Sequence, residues 1–150
     1  MKGARLRQPI SSEYSQALGE AIFTFSILEW SAIWICERIQ PGVLTELDPK
    51  TAGAISKRLI SLAESLDGSE GKTCLLGGAS RFADLVVIRN KLVHGRPGTD
   101  NDDGLSKLFG AGRPWTVDMI RDAADEFSEC SIVLNDCFHG FLKGLVRSEF

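Results

Sequence analysis

Seven consecutive residues, Arg89-Asn90-Lys91-Leu92-Val93-His94-Gly95, hold the side chains of this 150-residue sequence best suited to chemistry. Histidine titrates near neutrality and can take a proton from a ribose 2′-hydroxyl or give one to a leaving oxygen. Arginine stays charged and forks onto phosphate oxygens, stabilising charge that grows in a transition state. Asparagine can orient either the imidazole or the phosphate. Between Arg81 and Arg96 four basic residues (Arg81, Arg89, Lys91, Arg96) stand against one acid, Asp84, a local charge of +3. The set suits phosphodiester chemistry, with Arg89, Asn90 and His94 as catalytic candidates and Lys91 and Arg96 as RNA contacts. The same residues also suit a plain solvated helix end, where Lys and Arg complement the macrodipole and histidine is common.

These residues close a predicted helix that begins between Thr73 and Ala79 and ends at Gly95, ahead of Pro97. On its wheel Leu85, Ile88 and Leu92 point one way, and Asn90 and His94, four apart, point the other. Arg89 lies about 140° from His94 on an ideal helix. The two can therefore meet on one phosphate only if the last turn distorts or if a second copy of the chain supplies the missing partner.

Three further helices complete the reading. The first opens at Pro9 and Ser11 or Ser12 and runs to about Arg38, before Pro41-Gly42. Asp48-Pro49 reads as the cap and first position of a second, which carries Ala52, Ile55, Leu59, Leu62 and Leu66 and ends at Asp67-Gly68. A Gly/Ser-rich linker follows. From Gly95 to Pro114 the chain reads as a long loop with a short hairpin around Asp103-Gly104. Thr116 then caps the last helix, whose stripe is Ile120, Ala124, Phe127, Leu134, Phe138 and Phe141. With no run alternating at period two, the prediction is one all-α domain over residues 1–150, a bundle of four main helices.

The first helix is predicted to be apolar on two opposite faces. Leu18, Ala21, Phe25, Leu28, Ala32 and Ile35 form one stripe; Phe23, Ile27, Trp30 and Trp34 form the other. One such face serves the bundle core. The second either packs on another subunit, making a homodimer, or is covered by the long loop or the N-terminal segment. Glu29 interrupts the apolar run, as a buried partner for Arg89 or as a residue on the boundary between the stripes.

Composition narrows the function classes. Hydrophobic residues make up 43% and charged residues 25%, as in an ordinary globular domain and unlike a disordered or low-complexity chain. The net charge of −3 and pI near 5.4 leave no wide basic surface, so nucleic acid would have to bind at a local patch. The start, MKGARLRQPISSEY, carries no apolar h-region of a secretory signal. The stretch Ala21 to Ile35, broken by Thr24, Ser26, Glu29 and Ser31, reads as a buried helix too short to span a bilayer. Cys36, Cys74, Cys130 and Cys137 form no C-x-x-C pair, and His94 and His139 are the only histidines, so no metal site or cofactor is expected. The cysteines read as free thiols in a reducing cytoplasm. His139, beside an aromatic stripe, reads as a flanking or solvent-facing residue with no assigned role.

The R-N-K-L-V-H-G motif at a helix end in an all-helical chain of this size resembles the HEPN superfamily. Its signature is Arg, a polar residue that is often Asn, and His four to six residues beyond the Arg. The phrases L-G-E-A-I-F-T-F-S-I-L-E-W and P-W-T-V-D-M-I are similar to bacterial members made of this domain alone. The resemblance spans about residues 12 to 145. It implies a bundle of four to five helices, a homodimer with a composite active site, and metal-independent RNA cleavage leaving a 2′,3′-cyclic phosphate. Arg89, Asn90 and His94 occupy the motif positions. Members that pair with a nucleotidyltransferase antitoxin often have a tyrosine two residues after the motif histidine; here Arg96 stands there, and the only tyrosine is Tyr14. The expectation is a cytoplasmic endoribonuclease, as a toxin or phage-defence effector with an antitoxin or defence-system partner. The alternative is a non-catalytic helical dimer that binds RNA or a nucleotide, or scaffolds a partner protein.

Overall fold

The computed structural model describes residues 9–147; most of the stretch read for a secretory signal lies outside them. Four long helices form a closed ring: α1 (Ser12–Ile39), α3 (Ala52–Glu64), α4 (Glu70–Val93) and α5 (Val117–His139), each packed on the next and α5 back on α1. Each starts at a Ser or Thr hydroxyl. Ser11, Thr51, Ser69 and Thr116 accept from the amides of Tyr14, Ala54, Lys72 and Met119, satisfying a backbone donor that the first turn would otherwise leave unpaired. The all-α bundle of four main helices is thus the observed architecture.

The core is one aromatic and aliphatic cluster. Phe25 of α1 meets Phe127 edge-on at 5.1 Å and lies 6.2 Å from Phe82, while Leu28, Leu59, Leu85 and Leu134 are fully buried around them. All of the first predicted α1 stripe is buried except Leu18, which is partly so. At 28 residues, α1 as a whole is long and apolar enough to cross a membrane by length and composition, where the stretch Ala21 to Ile35 alone is not. In this fold its first stripe is the wall of the bundle core.

Several boundaries differ from the sequence reading. Asp48-Pro49 does not open a helix. Leu44–Leu47 folds into a short turn, α2, and the Asp48 amide closes it on the Leu44 carbonyl. The cap belongs to Thr51, and α3 ends at Glu64, short of Asp67-Gly68. The ammonium of Lys72 donates to the carbonyls of Glu64, at that end, and Leu66, just beyond it. α4 begins at Glu70, earlier than expected, because Gly71 and Gly78 are packing sites and not linker. A Cβ on Gly78 would stand 2.9 Å from Leu134 of α5, and one on Gly71 would overlap the Phe141 ring. Phe141 itself lies past the end of α5, in the 3-10 helix η1 (Phe141–Arg147).

The predicted loop between the last two helices contains a three-stranded antiparallel sheet. β1 (Arg96–Thr99) pairs with β2 (Ser106–Gly110), which pairs with β3 (Arg113–Pro114). The turn from Asp100 to Leu105 does include the Asp103-Gly104 hairpin. Lys107 pins it by donating to the carboxylates of Asp100 at 2.7 Å and Asp103 at 2.6 Å. Tyr14 ties the sheet to the bundle: its hydroxyl donates to the Trp115 carbonyl and accepts from the Leu108 amide.

Of the free cysteines, Cys36, Cys130 and Cys137 are buried and Cys74 is exposed, its Sγ 3.9 Å from that of Cys137. Burial pushes the Cys36 and Cys137 thiols up to about 12 and Cys130 up to about 11, as small apolar side chains would behave.

Candidate functional site

The motif residues open onto a cleft of about 550 Å³ between α1, α3 and α4. α4 contributes Arg89, Asn90 and, as its C-cap, His94. The chain segment entering α3 contributes Lys50, Thr51, Ala52 and Gly53, and α1 contributes Glu29. Asn90 and His94 share a face because they are four apart on one helix. His94 departs from helical geometry, with φ −94° and ψ 7°, while its amide still donates to the Asn90 carbonyl at 3.0 Å. Arg89 reaches the same cleft, so one chain already unites the three motif side chains and a second copy is not needed to do so.

Arg89 is held from one side. Its guanidinium carbon lies 4.6 Å from the centre of the Phe25 ring, a cation–π contact that fixes the side chain against α1. Its Nε is buried and has no hydrogen-bond partner among the described residues. An unpaired buried donor is costly. Glu29 stands one turn after Phe25 on α1, facing the same cleft. It forms no ion pair with Arg89 within 4 Å, although the Arg89 charge acts on it. Burial raises the Glu29 carboxyl above its ordinary range, and the nearby Arg89 charge offsets only part of that rise. Of the two readings of Glu29, the boundary one is met: it is half-buried between the buried and the exposed stripe, and it is a neighbour of Arg89 that is not bonded to it.

The sequence reading missed the opposite wall. Lys50 and the first turn of α3 bring a cation and the positive end of a helix dipole to the cleft. The signal was present in Thr51, an N-cap residue, but Asp48-Pro49 offered a stronger-looking start three residues earlier. Lys91 and Arg96 are exposed, and neither lines the cleft. His139 is exposed on the far side of the bundle, edge-on to Phe138, and is not brought to the motif.

That far side carries the second α1 stripe. Phe23, Ile27, Trp30 and Trp34 are 68%, 46%, 45% and 41% exposed, so the described residues leave a large part of this stripe uncovered. Trp30 and Trp34 pack edge-to-face and form, with Leu134 and Phe138, an apolar groove of about 380 Å³.

Compared with family models, with curated proteins and with solved structures, the chain matches none. Among the described residues no group of three or more His, Cys, Asp or Glu stands close enough together to hold a metal ion.

Proposed function

We propose that this chain is a HEPN-like, metal-independent endoribonuclease acting in the cytoplasm. The observation that carries the reading is the convergence of Arg89, Asn90, His94 and Lys50 on one cleft, with the outer nitrogens of the Arg89 guanidinium in no hydrogen bond or ion pair among the described residues. A phosphodiester supplies acceptors for those nitrogens. Arg89 clamps the phosphate oxygens and stabilises the charge of the pentacoordinate transition state. His94 carries one proton transfer and water the other: His94 takes the 2′-hydroxyl proton while water protonates the 5′-leaving oxygen, or His94 protonates the leaving oxygen while water takes the 2′-hydroxyl proton. The oxygen attacks the adjacent phosphorus, the bond to the 5′-oxygen breaks, and a 2′,3′-cyclic phosphate remains. Asn90, one turn before His94, orients the imidazole or the phosphate. Lys91 and Arg96, outside the cleft, meet the flanking RNA backbone. Such an enzyme suits a toxin or phage-defence role, with an antitoxin or defence-system protein as partner.

The test is RNA cleavage in EDTA by wild type and by His94→Ala, with the product ends identified. Cleavage by wild type to cyclic-phosphate ends and its loss in His94→Ala support the reading. Full activity in His94→Ala overturns it.

One observation favours a second reading, a non-catalytic helical dimer. The exposed Phe23, Ile27, Trp30 and Trp34 face suits association of two chains whatever the cleft does. A dimer that binds RNA without cutting it is the result that selects this reading.

A further inference from the structure

We propose that the Glu29 carboxylate is a built-in competitor for the cleft, so that a phosphate group binding beside Arg89 must drive Glu29 to take up a proton. The proposal deepens the phosphodiester reading of this cleft and rests on it. Phe25 and Glu29 lie four residues apart on α1 and so stand on one helix face. Phe25 holds the Arg89 guanidinium at 4.6 Å, which leaves Glu29 beside the same cation across the cleft. The carboxylate is close enough to feel Arg89 and too far to bond it; the Arg89 Nε is covered, and its outer guanidinium nitrogens carry no hydrogen bond or ion pair among the described residues. Glu29 therefore supplies negative charge near Arg89 and leaves the position at the outer guanidinium nitrogens free of a hydrogen bond. A phosphate entering that position sets two anions in one half-buried space, where like charges are poorly screened. The carboxyl, already raised by burial, relieves the clash by taking a proton from solvent.

The charged and titratable groups that share the cleft with Glu29 are Arg89 and His94 from α4 and Lys50 from the segment before α3; α5 contributes none. His94 can also gain a proton when an anion binds, so its contribution has to be removed from the measurement.

The experiment is calorimetric titration of the full chain with a 2′-deoxy oligonucleotide, which cannot be cleaved by 2′-hydroxyl attack. It compares His94→Ala with the His94→Ala/Glu29→Gln double variant from pH 5 to pH 8, in two buffers of different ionisation enthalpy that count protons. In the His94→Ala protein, binding should weaken as pH rises and should take up protons. The added Glu29→Gln change should make binding about three- to tenfold tighter at pH 8 and remove most of that uptake. Equal affinity and equal proton uptake in the two proteins overturn the proposal while leaving the phosphate reading intact. Weaker binding in the double variant also overturns it, and makes Glu29 a positioning residue for Arg89. If wild type itself fails to bind the strand, the phosphate reading and this proposal fall together. An NMR titration of the Glu29 carboxyl in wild type, with and without inorganic phosphate, reads the same coupling without a variant; an unmoved titration counts against it.

Discussion

The guanidinium of Arg89 gains about 0.5–2 kcal/mol from the Phe25 ring at a half-buried site, and His94 is exposed at the end of α4. Truncating either should leave the fold intact and remove function instead. We expect Arg89→Ala and His94→Ala each to lower RNA cleavage by about 10²–10⁴, the range for losing an acid/base or a preorganised charge. Circular dichroism should show unchanged helix content. Lys91→Ala, altering an exposed residue outside the cleft, should lower the salt dependence of RNA binding without changing the chemical step. A Lys91→Ala defect equal to that of Arg89→Ala would mean that the chemistry lies elsewhere. Glu29 gives a second prediction at this scale. Its folded-state pKa is raised, so the folded protein holds the proton more tightly than the unfolded chain does. Its contribution to stability is full below the unfolded pKa and is lost as pH rises through the folded one. Glu29→Gln should therefore melt at a higher temperature than wild type near pH 7, and the gap should close towards pH 4. A gap that is constant with pH would contradict this.

At the scale of elements, the sheet and the bundle meet at one hydroxyl. Tyr14 bridges the Trp115 carbonyl and the Leu108 amide, and its ring is 2% exposed. Tyr14→Phe leaves both groups unpaired in a confined place, at a cost of about 1–3 kcal/mol. Thermal melting should register a drop of about 2–10 °C for a chain of this size; no change would mean that water replaces the hydroxyl freely. The same elements show why some boundaries were legible and others were not. Helices with a periodic stripe and a nearby Ser or Thr cap, such as α1 and α5, can be placed from sequence because pattern and cap agree. α4 hides its start because Gly71, Gly77 and Gly78 look like linker residues. Two of the three are small because Phe141 and Leu134 press on them, a long-range fact that local composition does not carry. The strands hide for a different reason. β2 reads Ser-Lys-Leu-Phe-Gly and every residue in it is half-buried, so no alternation between faces marks it. The motif wall of the cleft was legible because Arg89, Asn90 and His94 are neighbours in sequence. The Lys50 and Glu29 walls come from 39 residues before Arg89 and 60 before it, and only the packing of α1 and α3 on α4 brings them near.

The molecule as a whole presents two faces of opposite character, the polar cleft and the apolar α1 stripe. The stripe is the larger departure from a self-sufficient bundle. Trp30 and Trp34 are already more than half covered by their own chain, so each offers only about 100 Å² for further burial. Phe23 and Ile27 roughly double that, to about 400 Å² per chain. At about 25 cal/mol per Å² this contributes roughly 10 kcal/mol per chain before the entropy of association. It also amounts to about half of the roughly 800 Å² that each partner buries in a standard interface, an apolar share typical of such surfaces. We therefore expect a dimer at micromolar concentration by size exclusion with light scattering. Trp30→Asp/Trp34→Asp should be a monomer with unchanged helix content, since both side chains lie outside the buried core. A monomeric wild type would defeat the prediction at once. A double variant that stays dimeric would move the interface off this face. Because Glu29 sits next to Trp30 in sequence yet opens onto the cleft, the monomer should keep its phosphate binding. Loss of cleavage in a monomer that still binds RNA would then locate the need for a second chain in the chemical step itself.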